Sequence, residues 1–207
     1  MSRCLAPCVG QVDVETYAHT VAAVRQAIER DPGPVIDAVV SRIRTLADQE
    51  RYEEAAAHRD RMAAFVRAAA RTQRVAALAR CREVVAARRT DEGGWETHVV
   101  RHGRLAAAGV VPPGVPPRAA IDVIVQGAET VTAPPPPTPG ATVEETEKVL
   151  SWLSQPGVRL VEIDGEWSCP VAGAGARTDW LEQAYAADVD APSEDRRGLR
   201  TTHRPPR

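Results

Sequence analysis

Over the first 90 residues, apolar side chains recur at three- and four-residue steps, the period of helices that each bury one face. Asp13 stands where a helix N-cap belongs, and Tyr17, Val21, Val24 and Ile28 form the stripe that follows it. Asp31-Pro32-Gly33-Pro34 ends this helix, because proline lacks the backbone donor and restricts the residue before it. A second stripe runs through Val35, Val39, Ile43 and Leu46, up to Asp48-Gln49-Glu50-Arg51. A third begins near Tyr52 and carries Ala55, Ala56, Met62, Ala63 and Val66, continuing toward Arg82. Two amphipathic helices joined by so short a break lie antiparallel and bury their stripes together. The second and third segments are thus predicted to form a helical hairpin.

Past this point the period changes. Residues 83–87, 95–101 and 104–110 are short β-prone runs, separated by Asp91-Glu92-Gly93-Gly94 and by His102-Gly103, both good turn sequences. They predict a small antiparallel meander, followed by a helix over 117–131. Residues 133–140, with four consecutive prolines, read as a linker without packing capacity. Thr142-Val143-Glu144-Glu145 opens a helix through Leu153, its acidic first turn suiting the helix dipole. Residues 158–163 and 166–171 predict a β-hairpin about Asp164-Gly165, with a last helix over 179–187. The fold class is α+β, mainly α. Its expected segments are 1–33, the hairpin and its extension at 34–82, a β/α region at 83–132, the linker at 133–140, a helix–hairpin–helix segment at 141–187 and a disordered tail at 188–207.

Composition alters this picture only in part. With 43% hydrophobic and 26% charged residues, the chain can support a packed core. A net charge of −2 excludes a strongly basic, chromatin-type protein, and 4% aromatic residues leave few rings for stacking bases. No apolar run approaches the length of a membrane span, and residues 1–8 lack the pattern of a signal peptide, so the chain reads as cytoplasmic with no membrane partner. Eight arginines and one acid, Glu83, lie between Arg61 and Arg89. Arg67, Arg71 and Arg74 are candidate phosphate contacts. Because 25 of the 26 basic residues are arginine, a solvated helix face is the competing and preferred reading.

Two motifs carry a resemblance. Tyr52-Glu53-Glu54-Ala55-Ala56-Ala57-His58-Arg59-Asp60 resembles the UVR motif: an aromatic, Glu, any residue, Ala-Ala, two residues, then Arg-Asp. Upstream, Arg3-Cys4-Leu5-Ala6-Pro7-Cys8-Val9-Gly10, followed by Tyr17 and Val21, is similar to the stretch before that motif in the excinuclease subunit UvrC. Val84-Val85-Ala86-Ala87-Arg88 and Gly93-Gly94-Trp95 are similar to the C-terminal part of actinobacterial proteins that fuse a DnaQ-like exonuclease to a UvrC-like region. The chain is read as a detached UvrC-like middle and tail, with neither a GIY-YIG nuclease segment nor an exonuclease domain expected in it.

The resemblance implies that the hairpin docks a UvrB-like partner through Tyr52, Glu53, Ala55, Ala56, Arg59 and Asp60. Tyr52, where phenylalanine is usual, is expected to anchor the loop end. Ala55 and Ala56 let a helix approach closely, and Arg59 with Asp60 supplies a charge pair. The competing reading is a self-contained hairpin. In the family the cysteines matching Cys4 and Cys8 are half of a four-cysteine iron–sulfur set, so here they are expected to be a vestigial pair with no cofactor. A site shared between two chains, or zinc shared with a histidine, is the alternative. His98 and His102 would pair on a metal only within a helix, and their flanking glycines argue for strands. No catalytic spacing is found. The expected function is a non-catalytic UvrC-like role in nucleotide excision repair. The alternatives are a nuclease component whose catalytic half is missing or separately encoded, and a UVR-type stress-response adaptor.

Overall fold

The computed structural model describes residues 5–133 and 140–178. The tetraproline stretch, the helix expected over 179–187, the tail and Cys4 lie outside the described residues.

Helix α1 (Val14–Glu29) starts as its sequence predicts, with the Asp13 carboxylate accepting the Thr16 backbone N–H at 2.8 Å. That bond holds the Asp13 carboxyl below its ordinary value. The stripe behind it is not buried, contrary to expectation. Ala27 is the one buried residue of the helix, because α1 meets the rest of the chain near its C-terminal end. There Gln73 of the third helix donates its Nε2–H to the Ile28 carbonyl at 2.9 Å.

Helices α2 (Gly33–Asp48) and α3 (Tyr52–Arg80) form the predicted hairpin. The α2 stripe starts one residue later than its sequence suggests: Ile36 is buried and Val35 exposed, with Val39, Val40 and Ile43 packed partly and Leu46 fully buried. Across from it stand Met62, Ala63, Val66, Ala69 and Ala70. The 29 residues of α3 rise about 43 Å without a break, enough to join two cores. Its first half packs on α2, while Leu78 near its end enters the β region.

The meander is β1 (Glu83–Arg89), β2 (Trp95–Arg101) and β3 (Arg104–Val111), within two residues of its predicted bounds. At its second turn both His102 and Gly103 adopt positive φ, 50° and 82°, as a two-residue hairpin requires. Helix α4 (Pro117–Gln126) stops five residues short of the expected 131. The Arg101 guanidinium, paired with Glu83, donates to the carbonyls of Val125, Ala128 and Glu129 and so closes the helix end. Helix α5 (Val143–Leu153) is capped by Thr142, whose hydroxyl accepts the Glu145 N–H at 3.2 Å.

The hairpin expected at 158–171 does not form. β4 (Val158–Asp164) pairs antiparallel with β1, giving one four-stranded sheet in the order β3-β2-β1-β4. Strand β1 is buried on both faces at Val84, Val85, Ala86 and Ala87, so its second edge needs backbone partners that β4 supplies. Residues 166–171 instead run back along α3, where Arg80 donates to the Ser168 carbonyl at 3.2 Å. One sheet face packs on α4 through Val85, Val99, Val111 and Ile121, and the other on α5 and the end of α3 through Val84, Val100, Leu78 and Val149.

Candidate partner-binding site

The hairpin tip is built by a helix C-cap that its sequence conceals. Glu50 adopts φ 58°, while the N–H of Glu50 bonds the Ala47 carbonyl and that of Arg51 the Leu46 carbonyl, both at 2.9 Å. These are the two bonds of a Schellman motif, whose left-handed position is usually glycine. The chain reverses here, and α3 starts at Tyr52.

Arg51 clamps the tip. It donates to both Glu54 carboxylate oxygens at 2.7 Å and to the Gln49 side-chain oxygen at 3.2 Å. The bond to Arg51 holds the Glu54 carboxyl below its ordinary value, and Arg42 and His58 add to the effect. Glu53 and Glu54 both sit in the first turn of α3, where negative charge suits the N-terminal dipole.

Tyr52 is 65% exposed, so within this chain it does not anchor the loop end. Ala55 is buried toward α2 and Ala56 half-buried beside it. One turn further, Arg59 Nε stands 3.4 Å from Asp60 Oδ1, with Asp60 the more exposed of the two. Helical spacing places Tyr52, Ala56 and Asp60 along one line of α3 at steps of four, and Glu53 lies exposed next to it. The tip therefore offers an aromatic ring, a small-residue contact and a charged pair on one stretch of helix surface.

The three candidate phosphate contacts are placed differently. Arg67 is exposed. Arg71 clasps Glu147 of α5 through two bonds, at 2.5 and 2.7 Å, and this clasp lowers the Glu147 carboxyl below its ordinary value. Arg74 lines the same cleft of about 290 Å3 between α3 and α5. The long-range pairing of Arg71 with a residue 76 positions away carried no local signal in the sequence.

Cys8 is exposed at the short 3-10 turn Pro7–Val9, Cys169 is exposed and Cys81 is buried, its thiol pushed up by burial. Among the described residues no group of three His, Cys, Asp or Glu side chains is placed to hold a metal ion. His98 lies in β2 and His102 in a turn, as their glycines suggested. The His98 ring stacks on Trp152 at 3.7 Å, and Trp152 in turn donates its indole N–H to Glu96 at 3.1 Å. No described helix is long and apolar enough to cross a membrane.

Comparison with known proteins adds to this geometry. The chain is 37% identical over 188 residues, 88% of its length, to a Mycobacterium tuberculosis protein named "Putative bifunctional exonuclease/endonuclease protein". It is 33% identical over 130 residues, 61% of its length, to UvrABC system protein C of Proteus mirabilis, and 40% identical over 62 residues, 30% of its length, to that of Aromatoleum aromaticum. The chain carries a UvrC-like region. It spans 29% of the mycobacterial protein and 21% and 10% of the two UvrABC system proteins. No family profile and no solved structure matches the chain.

Proposed function

We propose that this chain works in DNA repair as a non-catalytic UvrC-like protein, docking a UvrB-like partner through the tip of its α2–α3 hairpin. The exposed Tyr52 carries the reading: a ring left largely in solvent at the head of a helix is a group shaped for contact rather than for this chain's own core. Ala56 below it lets a second helix approach, and Arg59 with Asp60 sets the rim. Similarity to UvrABC system protein C supports the assignment to repair. Similarity over most of the chain to a protein named as an exonuclease/endonuclease favours a second reading, in which the chain is the companion region of a nuclease.

Calorimetric titration with a UvrB C-terminal peptide tests the docking. Ala56→Leu is expected to weaken binding about 10- to 100-fold, since overpacking a close helix contact costs roughly 1–3 kcal/mol. Arg59→Ala should cost less, because a rim ion pair is worth about 0–1 kcal/mol. Arg67→Ala is the control for partner affinity, Arg71 being committed to Glu147. No binding by the wild type, or equal binding by a folded Ala56→Leu chain, would leave the hairpin as a self-contained unit.

A further inference from the structure

Val14, Tyr17, Val21, Val24 and Ile28 follow one another along α1 at alternating steps of three and four. That is the spacing of a seam by which one helix meets another. Yet Val14, Tyr17, Val21 and Val24 are 89%, 42%, 43% and 53% exposed. Two shallow grooves flank the seam, of about 570 and 420 Å3, and the second reaches Thr72 of α3. A seam this apolar on an exposed helix calls for a cover.

We propose that residues 179–187 of the same chain cover this face of α1. The first reason is where the described chain ends. Gln73 donates to the Ile28 carbonyl through Nε2 and accepts the Ala174 N–H through Oε1, both at 2.9 Å. One side chain thus ties the 3-10 turn Ala174–Arg177 to the C-terminal end of α1. Ala174 is fully buried against the hairpin, and the Arg177 guanidinium comes within 3.8 Å of where a Cβ on Gly33 would stand, just past α1. Thr178, the last described residue, follows one position after Arg177, so the chain beyond it is tethered from the C-terminal end of α1.

The second reason is in the sequence that follows. Trp180, Leu181, Ala184 and Ala187 recur at helical spacing among Asp179, Glu182 and Gln183. As a helix these nine residues would span about 13 Å, matching the stretch of α1 from Ile28 back past Val21. The third reason is size. Five seam residues fall well short of the 20–30 residues a side, or about 800 Å2 per partner, that a stable interface between separate chains uses. A segment tethered directly to a docked turn needs no such area, because its effective concentration is on the order of millimolar. The small seam suits a tethered occupant over a second copy.

Amide hydrogen exchange on the full-length chain tests the proposal. In a Trp180→Ala/Leu181→Ala variant, the amides of α1 should exchange about tenfold faster than in the wild type, with those of β1 and β2 unchanged. The wild-type protection should persist on hundredfold dilution. Equal α1 exchange in the two chains overturns the proposal, and so does protection that fades on dilution and ignores Trp180, which assigns the face to a second copy. A readout without any variant is the nuclear Overhauser contact between the Trp180 ring and the methyl groups of Val21 and Val24. Its presence in the wild type supports the cover, and its absence overturns it even if the double variant misfolds.

Discussion

The helical hairpin and the sheet are held together in different ways. Between α2 and α3 the buried side chains on the α3 side are mostly alanines, and one layer of contact separates core from solvent. Around β1 and β2 there are two cores, one under α4 and one under α5, with Val84, Val85, Val99 and Val100 each almost wholly buried. Alanine buries little area per residue, so the hairpin gains less from packing at each position. The central strands β1 and β2, covered on both faces, spend their valines on the core, while Val110 of β3 and Leu160 and Ile163 of β4 stay exposed at the outer strands. Strands β1 and β2 are thus a scaffold, whereas Tyr52 at the hairpin tip is an apolar position that the chain's own core leaves unused.

The largest effect expected from this contrast comes from truncating its two cores. Leu78→Ala, at a site with no exposure where α3 meets the sheet, should cost about 3–4 kcal/mol, because the cavity is walled on all sides. Ile36→Ala, at the thinner hairpin interface, should cost nearer 2 kcal/mol, since side chains at the margin can relax into the gap. Urea denaturation of both variants measures the difference. Equal losses would break the comparison.

A smaller effect separates the halves by pH. Burial holds the His98 imidazole below its ordinary value near 6.5, and Glu96 only partly opposes this. The unfolded chain therefore takes up a proton at a pH where folded His98 does not. Stability from this group is complete above pH 6.5 and is lost as pH falls toward the folded value. Thermal melts between pH 7 and 5 should show a decline that His98→Phe reduces, with the loss first seen in exchange of β2 rather than of α2. A decline of the same size in the His98→Phe chain would trace the acid sensitivity elsewhere.

The smallest effect tests the tip. Glu50 holds a left-handed conformation that costs a residue with a Cβ roughly 1–2 kcal/mol. Glu50→Gly relieves that cost and adds some flexibility to the unfolded chain, for a net gain of about 0.5–1 kcal/mol. A lower melting temperature in this variant would mean that the Glu50 side chain contributes more at the tip than the relieved strain.

Local patterns and tertiary packing divided the determination of this fold in a regular way. The sequence alone determined the elements whose signal is local: the Asp13 and Thr142 caps, the antiparallel hairpin, the meander with its His102-Gly103 turn, and the UVR-like motif. Each rests on residues within a few positions of one another, where spacing and turn chemistry suffice. Tertiary structure decided what depends on distant surfaces. Strand β4 joined β1 because a strand buried on both faces cannot leave its backbone groups unpaired. Helix α4 ends where Arg101, over twenty residues away in sequence, takes the carbonyl of Val125 in its last turn and those of Ala128 and Glu129 just beyond it. Arg71 was claimed by Glu147, and the α1 stripe stayed exposed although its pattern matches that of the buried helices. Periodicity shows that a face can be buried; which surface covers it is fixed only when the other elements have taken their places.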